Sequence, residues 1–395
     1  MGADGLLFDA LVGHIDQNGP IGFDEYVAQA LYAPGLGFYA GGGGAGRRHD
    51  FLTSPEVGPL FGAVLARALD SWWDEFGRPD PLVMIEAGAG PGTLARSILA
   101  ATPRCGTALR LVLVDVAEAR WGTHPGGVES RADLPKPGEL SDGPVVVLAN
   151  ELLDNLPFGL VELVEPDLRD DLPTADSAFW RGASRRDAVE FGQNEVTGDD
   201  AVWCEVLVDV DRSSGAPRLI EAFRVLDPAR QGWCWGRSGR SATVGTRLPV
   251  QADAAAWLAD ALDLAAGGRV VAVDYAGTTS GLAARPWTEW VRTYARHGRA
   301  GRPLDAPGGA DITCEVAVDQ LALVRAPDLE RSQAEFLAAH GIDELVSEGR
   351  ATWDAAGGAS GGLAAIAGRS RIHEAEALLD PSGLGAFRVL EWIGP

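Results

Sequence analysis

From Thr53 to Phe76 the apolar residues Val57, Leu60, Phe61, Val64, Leu65, Ala68, Leu69 and Trp72 recur every three or four positions. That spacing predicts a long helix with one buried face. Two start signals compete: Thr53 capping with Glu56 reaching back, or Ser54 capping with Pro55 in the first turn. Upstream, Phe23, Tyr26, Val27, Ala30 and Leu31 mark one face of a shorter helix that Pro34 and Gly35 close. From Leu82 the texture changes. "LVMIEA", "LRLVLVD", "PVVVLAN" and, much later, "GGRVVAVDYAG" are continuous apolar runs separated by helical segments. Such runs predict parallel strands covered on both faces, hence an α/β fold with a mostly parallel central sheet.

Between Phe158 and Leu248 short runs broken by Gly, Pro and Asp, among them "LVELVE", "SAFWRG", "AVWCEVLVDVD" and "LIEAFRVLD", predict antiparallel strands inserted between sheet strands. The expected organisation is an N-terminal helical segment over 1–80, a first core part over 81–158, a β-rich lobe over 159–249 and the rest of the core over 250–395. Within the last part, helices are expected over 250–268, 287–296 and 330–340, with a strand in "GAFRVLEWIG". The runs "AGGGGAGRRHD" and Gly357 to Gly362 read as loops, the first placed to act as a lid.

Composition narrows the partners. A formal net charge of -23 argues against general nucleic-acid binding, which depends on neutralising phosphates, and favours a cationic ligand or a basic protein segment. The four cysteines lie far apart with no C-x-x-C pair, so neither a disulfide framework nor a zinc site is expected, and a reducing cytoplasm fits. The six histidines show no metal-ligand spacing. No membrane span or secretory leader is expected, and a homodimer stays open.

The chemistry concentrates at predicted strand ends, where Glu86, Asp115, Asn150, Glu151 and Asp274 fall and where open α/β sheets bind ligands. The stretch "EAGAGPGT" places Gly88, Gly90 and Gly92 between a strand and a helix. A dinucleotide fingerprint would need glycine at position 93, which is Thr93, and no Lys-Ser or Lys-Thr follows for a P-loop. A carboxylate two residues before the glycines repels a pyrophosphate. It suits an ammonium or a sulfonium, and therefore S-adenosylmethionine, with the glycine turn offering backbone N–H groups and Asp115 accepting both ribose hydroxyls.

Five blocks then appear in a fixed order: "FDEYVAQALYAPGLGFY", "DFLTSPEVGPLFG", "EAGAGPGTL", "NELLDNLP" and "HGRAGRPLDAPGGADIT". In these the chain resembles the MidA-type methyltransferases, whose mitochondrial member assists assembly of respiratory complex I. The resemblance runs from Gly19 to about Gly341. It implies a Rossmann-like class I methyltransferase fold, S-adenosylmethionine as donor, and an arginine in a protein partner as acceptor. The family loop usually carries Leu and Pro where this chain has Ala87 and Ala89, small residues that keep the backbone path.

On this reading Glu86, Gly88, Gly90, Gly92, Thr93, Asp115, Asn150, Thr53 and Ser54 are the candidate donor-binding residues. Glu151 and Asp154, three apart and neighbours if their turn is helical, are the candidate catalytic pair for a guanidinium; helix capping is their structural alternative. A small-molecule O- or N-methyltransferase and an assembly chaperone retaining a donor site are the competing functions, since fold does not fix the acceptor.

Overall fold

The computed structural model describes residues 3–40, 53–165, 201–213, 215–239, 242–295, 298–355 and 362–394. The contacts divide the chain into two compact units. One comprises Met1–Gly43, Asp154–Leu258 and Ala276–Ala326; the other comprises Gly44–Leu153, Ala259–Tyr275 and Pro327–Pro395. This differs from the sequence-based partition: residues 1–43 fold with the 154–258 stretch instead of with the donor-side core.

The second unit is built on a seven-stranded sheet of β1 (Leu82–Ala87), β2 (Leu109–Val114), β3 (Glu129–Arg131), β4 (Val145–Asn150), β5 (Arg269–Asp274), β6 (Leu329–Ser332) and β7 (Arg388–Ile393). Their order across the sheet is β3-β2-β1-β4-β5-β7-β6. The first five are parallel to one another, whereas β7 runs antiparallel to both β5 and β6. The sheet is therefore mixed, and the fold class is α/β. Strands β1, β4 and β5 read as mostly apolar runs with polar residues only at or near their ends, because both faces are covered and nearly every residue is buried. The chain order reverses between β1 and β4, which places a topological switch point at the carboxyl ends of those two strands.

The long helix expected from Thr53 is interrupted. A short helical turn, Ser54–Val57, stops at Gly58, and α1 (Pro59–Glu75) begins after it. A Cβ at Gly58 would lie 2.2 Å from the carboxyl carbon of Glu374. That buried carboxylate accepts from the Leu60 N–H at 2.8 Å, so a side chain from a distant helix caps α1. Neither Thr53 nor Gly58 makes a side-chain cap, and both sequence-based start signals are corrected. The face predicted for α1 is the face that packs, with Leu60, Phe61, Val64, Leu65, Leu69 and Trp72 in the core. Helices Ile342–Ala355 and Gly362–Leu378 cross where Gly349 meets Gly368, each leaving no room for a Cβ beside the other's backbone.

In the first unit, Phe23–Tyr32 is helical and buries Phe23, Tyr26, Val27, Ala30 and Leu31, the face its spacing predicts. Strands Gly159–Val164, Val202–Asp211, Arg218–Val225 and Arg247–Val250 pair antiparallel in one sheet. The helix expected over 287–296 is only a turn, Trp287–Trp290. Val291–Ala295 is a strand pairing antiparallel with Asp311–Cys314, in which Val291 and Thr293, two positions apart, turn the same face to the interior. Likewise 330–340 splits into β6 and a helix, Gln333–Ala339, which Ser332 and Glu335 start as a reciprocal capping box. The stretch "SAFWRG", the glycine run with Arg47 and Arg48, His297 and most of the 357–362 connection lie outside the described residues.

No helix among the described residues is long and apolar enough to cross a membrane. Among these residues, no group of three or more His, Cys, Asp or Glu side chains could hold a metal ion.

Candidate functional site

Glu86 is the penultimate residue of β1 and is almost wholly buried. One of its oxygens, Oε2, is buried without a hydrogen-bond partner. Burial is the main cause that pushes its carboxyl up to about 8; the Ala95 N–H and Arg96 pull against it, and Asp115 adds to it. A carboxyl held neutral by the fold takes up a proton on folding between its ordinary value of 4.5 and about 8. Its stabilising contribution is complete below 4.5 and is lost as pH rises through about 8. Glu86→Gln removes this dependence. In chemical denaturation of the ligand-free protein, the variant should gain on wild type between pH 6.5 and 8.5 by an amount on the order of 1 kcal/mol per pH unit. Parallel pH profiles would mean that Glu86 is ionised in the fold.

The glycine loop follows. Gly88, Gly90 and Gly92 all have left-handed backbone, with φ of 72°, 54° and 75°. The loop's N–H groups are already committed. Gly88 and Ala89 donate to the Val114 carbonyl at 2.9 and 3.1 Å, and Gly92 donates to Ala89 at 2.9 Å. Gly90 donates to Asp115 Oδ2 at 2.7 Å, and Pro91 has no N–H to offer. The sequence-based expectation of free peptide nitrogens is therefore corrected: this turn is not an anion cradle. Its glycines permit a tight bend and a close approach. A Cβ at Gly90 would meet nothing within 4 Å, whereas one at Gly92 would press on His124 and Pro125.

Asp115, directly after β2, accepts from Gly90 and, through Oδ1, from the Ala117 N–H at 2.8 Å. Each carboxylate oxygen keeps a second lone pair for another donor. Val116 beside it is an exposed apolar side chain at 59%, a residue the sequence reading passed over. At the end of β4, Asn150 Oδ1 is buried without a partner, and its Nδ2 donates to Glu151 Oε1 at 3.2 Å.

The Thr53–Glu56 block is fastened to the same region. The Ser54 N–H donates to Glu151 Oε1 at 3.1 Å, and Glu56 Oε1 accepts from the Thr93 hydroxyl at 2.7 Å. Glu56 thus reaches forward to the start of α2 (Thr93–Ala100) instead of back to Thr53. The Ser54 hydroxyl is spent on Gln333 Oε1 at 2.8 Å, deep in the interior. Thr53 is buried without a side-chain cap.

Glu151 and Asp154 do not share a helix face. Glu151 has φ of 52°, its N–H extends the β4–β5 ladder by donating to Val273, and the next turn is a tight one over Leu153–Asn155. Asp154 belongs to the first unit and Glu151 to the second. Capping of that turn falls to Asp274, whose Oδ2 accepts from the Leu153 N–H at 2.9 Å. In the first unit, buried Asp311 accepts from Tyr39 at 3.1 Å and from Asn155 Nδ2 at 2.9 Å. Burial and the charges of Asp311 and Asp154 hold the Tyr39 phenol neutral, well above its usual range. The spacing gave no hint of Asn155 or Tyr39 in this cluster.

Residues 64–334 match the model of a family described as "Putative S-adenosyl-L-methionine-dependent methyltransferase". The chain belongs to that family. The mitochondrial protein arginine methyltransferase NDUFAF7 of Danio rerio is 26% identical over 84% of this chain and 76% of its own length. Its Xenopus tropicalis counterpart is 28% identical over 52% of this chain and 46% of its own, and the Drosophila melanogaster homologue 40% identical over 24% and 22%. The chain thus spans from about a fifth to about half of the first of these relatives. A crystal structure from Burkholderia thailandensis bound to S-adenosyl-homocysteine superposes with a TM-score of 0.74 at 25% identity, covering 98% of this chain and 92% of that one. A native crystal structure from the same organism gives 0.73.

These relatives overturn the cytoplasmic expectation, because the NDUFAF7 proteins are named as mitochondrial. Scattered, buried cysteines separate a reducing compartment from an oxidising one, and do not separate one reducing compartment from another.

Proposed function

We propose that this family member binds S-adenosylmethionine in its second unit and methylates an arginine side chain of a protein partner. The observation that carries the donor assignment is the chemistry of the loop. A pyrophosphate needs free N–H donors, and here those of the Gly88–Gly92 turn are hydrogen-bonded within the protein. Two carboxyl groups, Glu86 and Asp115, flank the turn instead, and a cation seated beside Glu86 would offset the burial that holds it neutral. Together with the partnerless oxygens of Glu86 and Asn150, that set fits a ligand bearing cations and hydroxyl donors.

In this reading Asp115 accepts the ribose hydroxyls, Val116 covers the base, and Glu86 and Asn150 receive the cationic amino-acid end. When bound, S-adenosylmethionine supplies a methyl group on a positively charged sulfur. Glu151 holds the acceptor guanidinium by its N–H groups and takes up the proton its nitrogen releases. Strained backbone at Glu151 is of the kind that clusters at functional sites. The net charge of -23 favours a basic partner, and the Rossmann-like core with an inserted β-rich lobe belongs to the same proposal.

Calorimetric titration with S-adenosylmethionine, S-adenosylhomocysteine and NAD tests the donor. The first two should bind and NAD should not, and Asp115→Ala should weaken donor binding by about tenfold to a hundredfold, the worth of two charge-assisted hydrogen bonds. NAD binding in preference to both sulfur nucleosides would overturn the assignment. Labelled donor incubated with lysate proteins should place its methyl group in methylarginine. Label confined to small molecules would favour the small-molecule alternative.

A further inference from the structure

We propose that His124 is a positioning residue for donor binding, fixing the Gly90–Pro91 peptide and with it the bend against which the donor rests. This builds on the donor reading above and adds a residue that the sequence motifs do not contain.

Pro91 leaves the Gly90–Pro91 peptide with an acceptor and no donor, so its orientation depends on what the Gly90 carbonyl finds. It finds His124 Nε2 at 3.0 Å. A carbonyl can only accept, so Nε2 carries the proton. The other ring nitrogen, Nδ1, sits 2.7 Å from Ser130 Oγ on β3. With the proton on Nε2, Nδ1 is the ring's acceptor, and the Ser130 hydroxyl donates to it. Gly90 is thereby held from two sides: its N–H by Asp115, its carbonyl by His124.

The next peptide is held in the same manner. Arg96 Nη1 donates to the Pro91 carbonyl and to the Thr123 carbonyl, each at 2.7 Å, tying the segment that carries His124 to the loop. The imidazole also fills the space beside Gly92, where an added Cβ would come within 3.1 Å of its Cδ2. One short segment, Thr123–Pro125, thus shapes the loop from the side of its carbonyls. The Gly90 α-carbon is left facing open space.

His124→Gln and His124→Asn separate positioning from packing. Glutamine can present an N–H where Nε2 stands. Asparagine can replace only the contact made by Nδ1. Titration with S-adenosylhomocysteine should show His124→Gln within about threefold of wild type, and His124→Asn and His124→Ala weaker by about tenfold, the worth of one hydrogen bond. Thermal midpoints of the ligand-free Asn and Gln variants should agree. Equal binding by all variants overturns the proposal, as does a loss of binding that follows the thermal midpoint instead of the N–H donor. Wild-type protein that itself fails to bind S-adenosylhomocysteine would overturn the donor reading underneath, a result distinct from the variants matching one another.

Discussion

Replacing Gly90 by valine should cost the protein at least about a hundredfold in affinity for S-adenosylhomocysteine while leaving it folded. The two halves of that expectation have different causes. A Cβ at Gly90 meets no atom within 4 Å, so the side chain starts into the open space where the donor is proposed to lie. The backbone does bear a cost, because φ of 54° is left-handed and a β-branched residue pays roughly 1–2 kcal/mol there. Gly138→Val supplies the control: its φ is 77°, a Cβ there likewise meets nothing within 4 Å, and it is not part of the loop. Both variants should lose similar thermal stability, and only Gly90→Val should lose binding. Unaltered binding by Gly90→Val would place the donor elsewhere.

Glu151→Gln should lower the rate of methylarginine formation by about a hundredfold to a thousandfold, with donor affinity within about threefold of wild type. Glutamine keeps an oxygen to accept the Ser54 N–H and the Asn150 amide, so the local turn survives. What disappears is the negative charge, and with it the means to localise a guanidinium's charge and to take its proton. Single-turnover incorporation of labelled methyl into lysate proteins, with calorimetry for the donor, separates the two quantities. An unchanged rate would assign Glu151 to anchoring the Thr53–Glu56 block.

Much of this architecture is legible in the amino-acid order because burial on both faces leaves so few choices. Strands β1, β2, β4 and β5 are apolar runs with Glu86, Asp115, Asn150 and Asp274 at or directly beside their carboxyl ends, and the helix at Phe23–Tyr32 buries the stripe its spacing marks. What the order conceals is long-range polar pairing. Glu56 has a nearby backbone to cap, yet its partner is Thr93; α1 is capped by Glu374, more than three hundred positions away. Spacing alone makes Glu151 and Asp154 helical neighbours, whereas the N–H of Glu151 is claimed by Val273 and the backbone turns left-handed. The glycine loop shows the same limit. Its residues identify a turn, but the satisfaction of its N–H groups by Asp115 and the Val114 carbonyl depends on the neighbouring strand.

The position of β7 bears on how the second unit is made. A nascent chain emits β6 before β7, although β7 is the neighbour to which β6 pairs and the strand that covers the outer side of β5. Until Glu391 arrives, the guanidinium of Arg269 lacks the buried carboxylate it shares with Arg331, and β5 keeps a bare hydrogen-bonding edge. Chains terminated between Asp274 and Arg388 would carry an adhesive flank, the kind of product that quality-control proteases and holdases intercept.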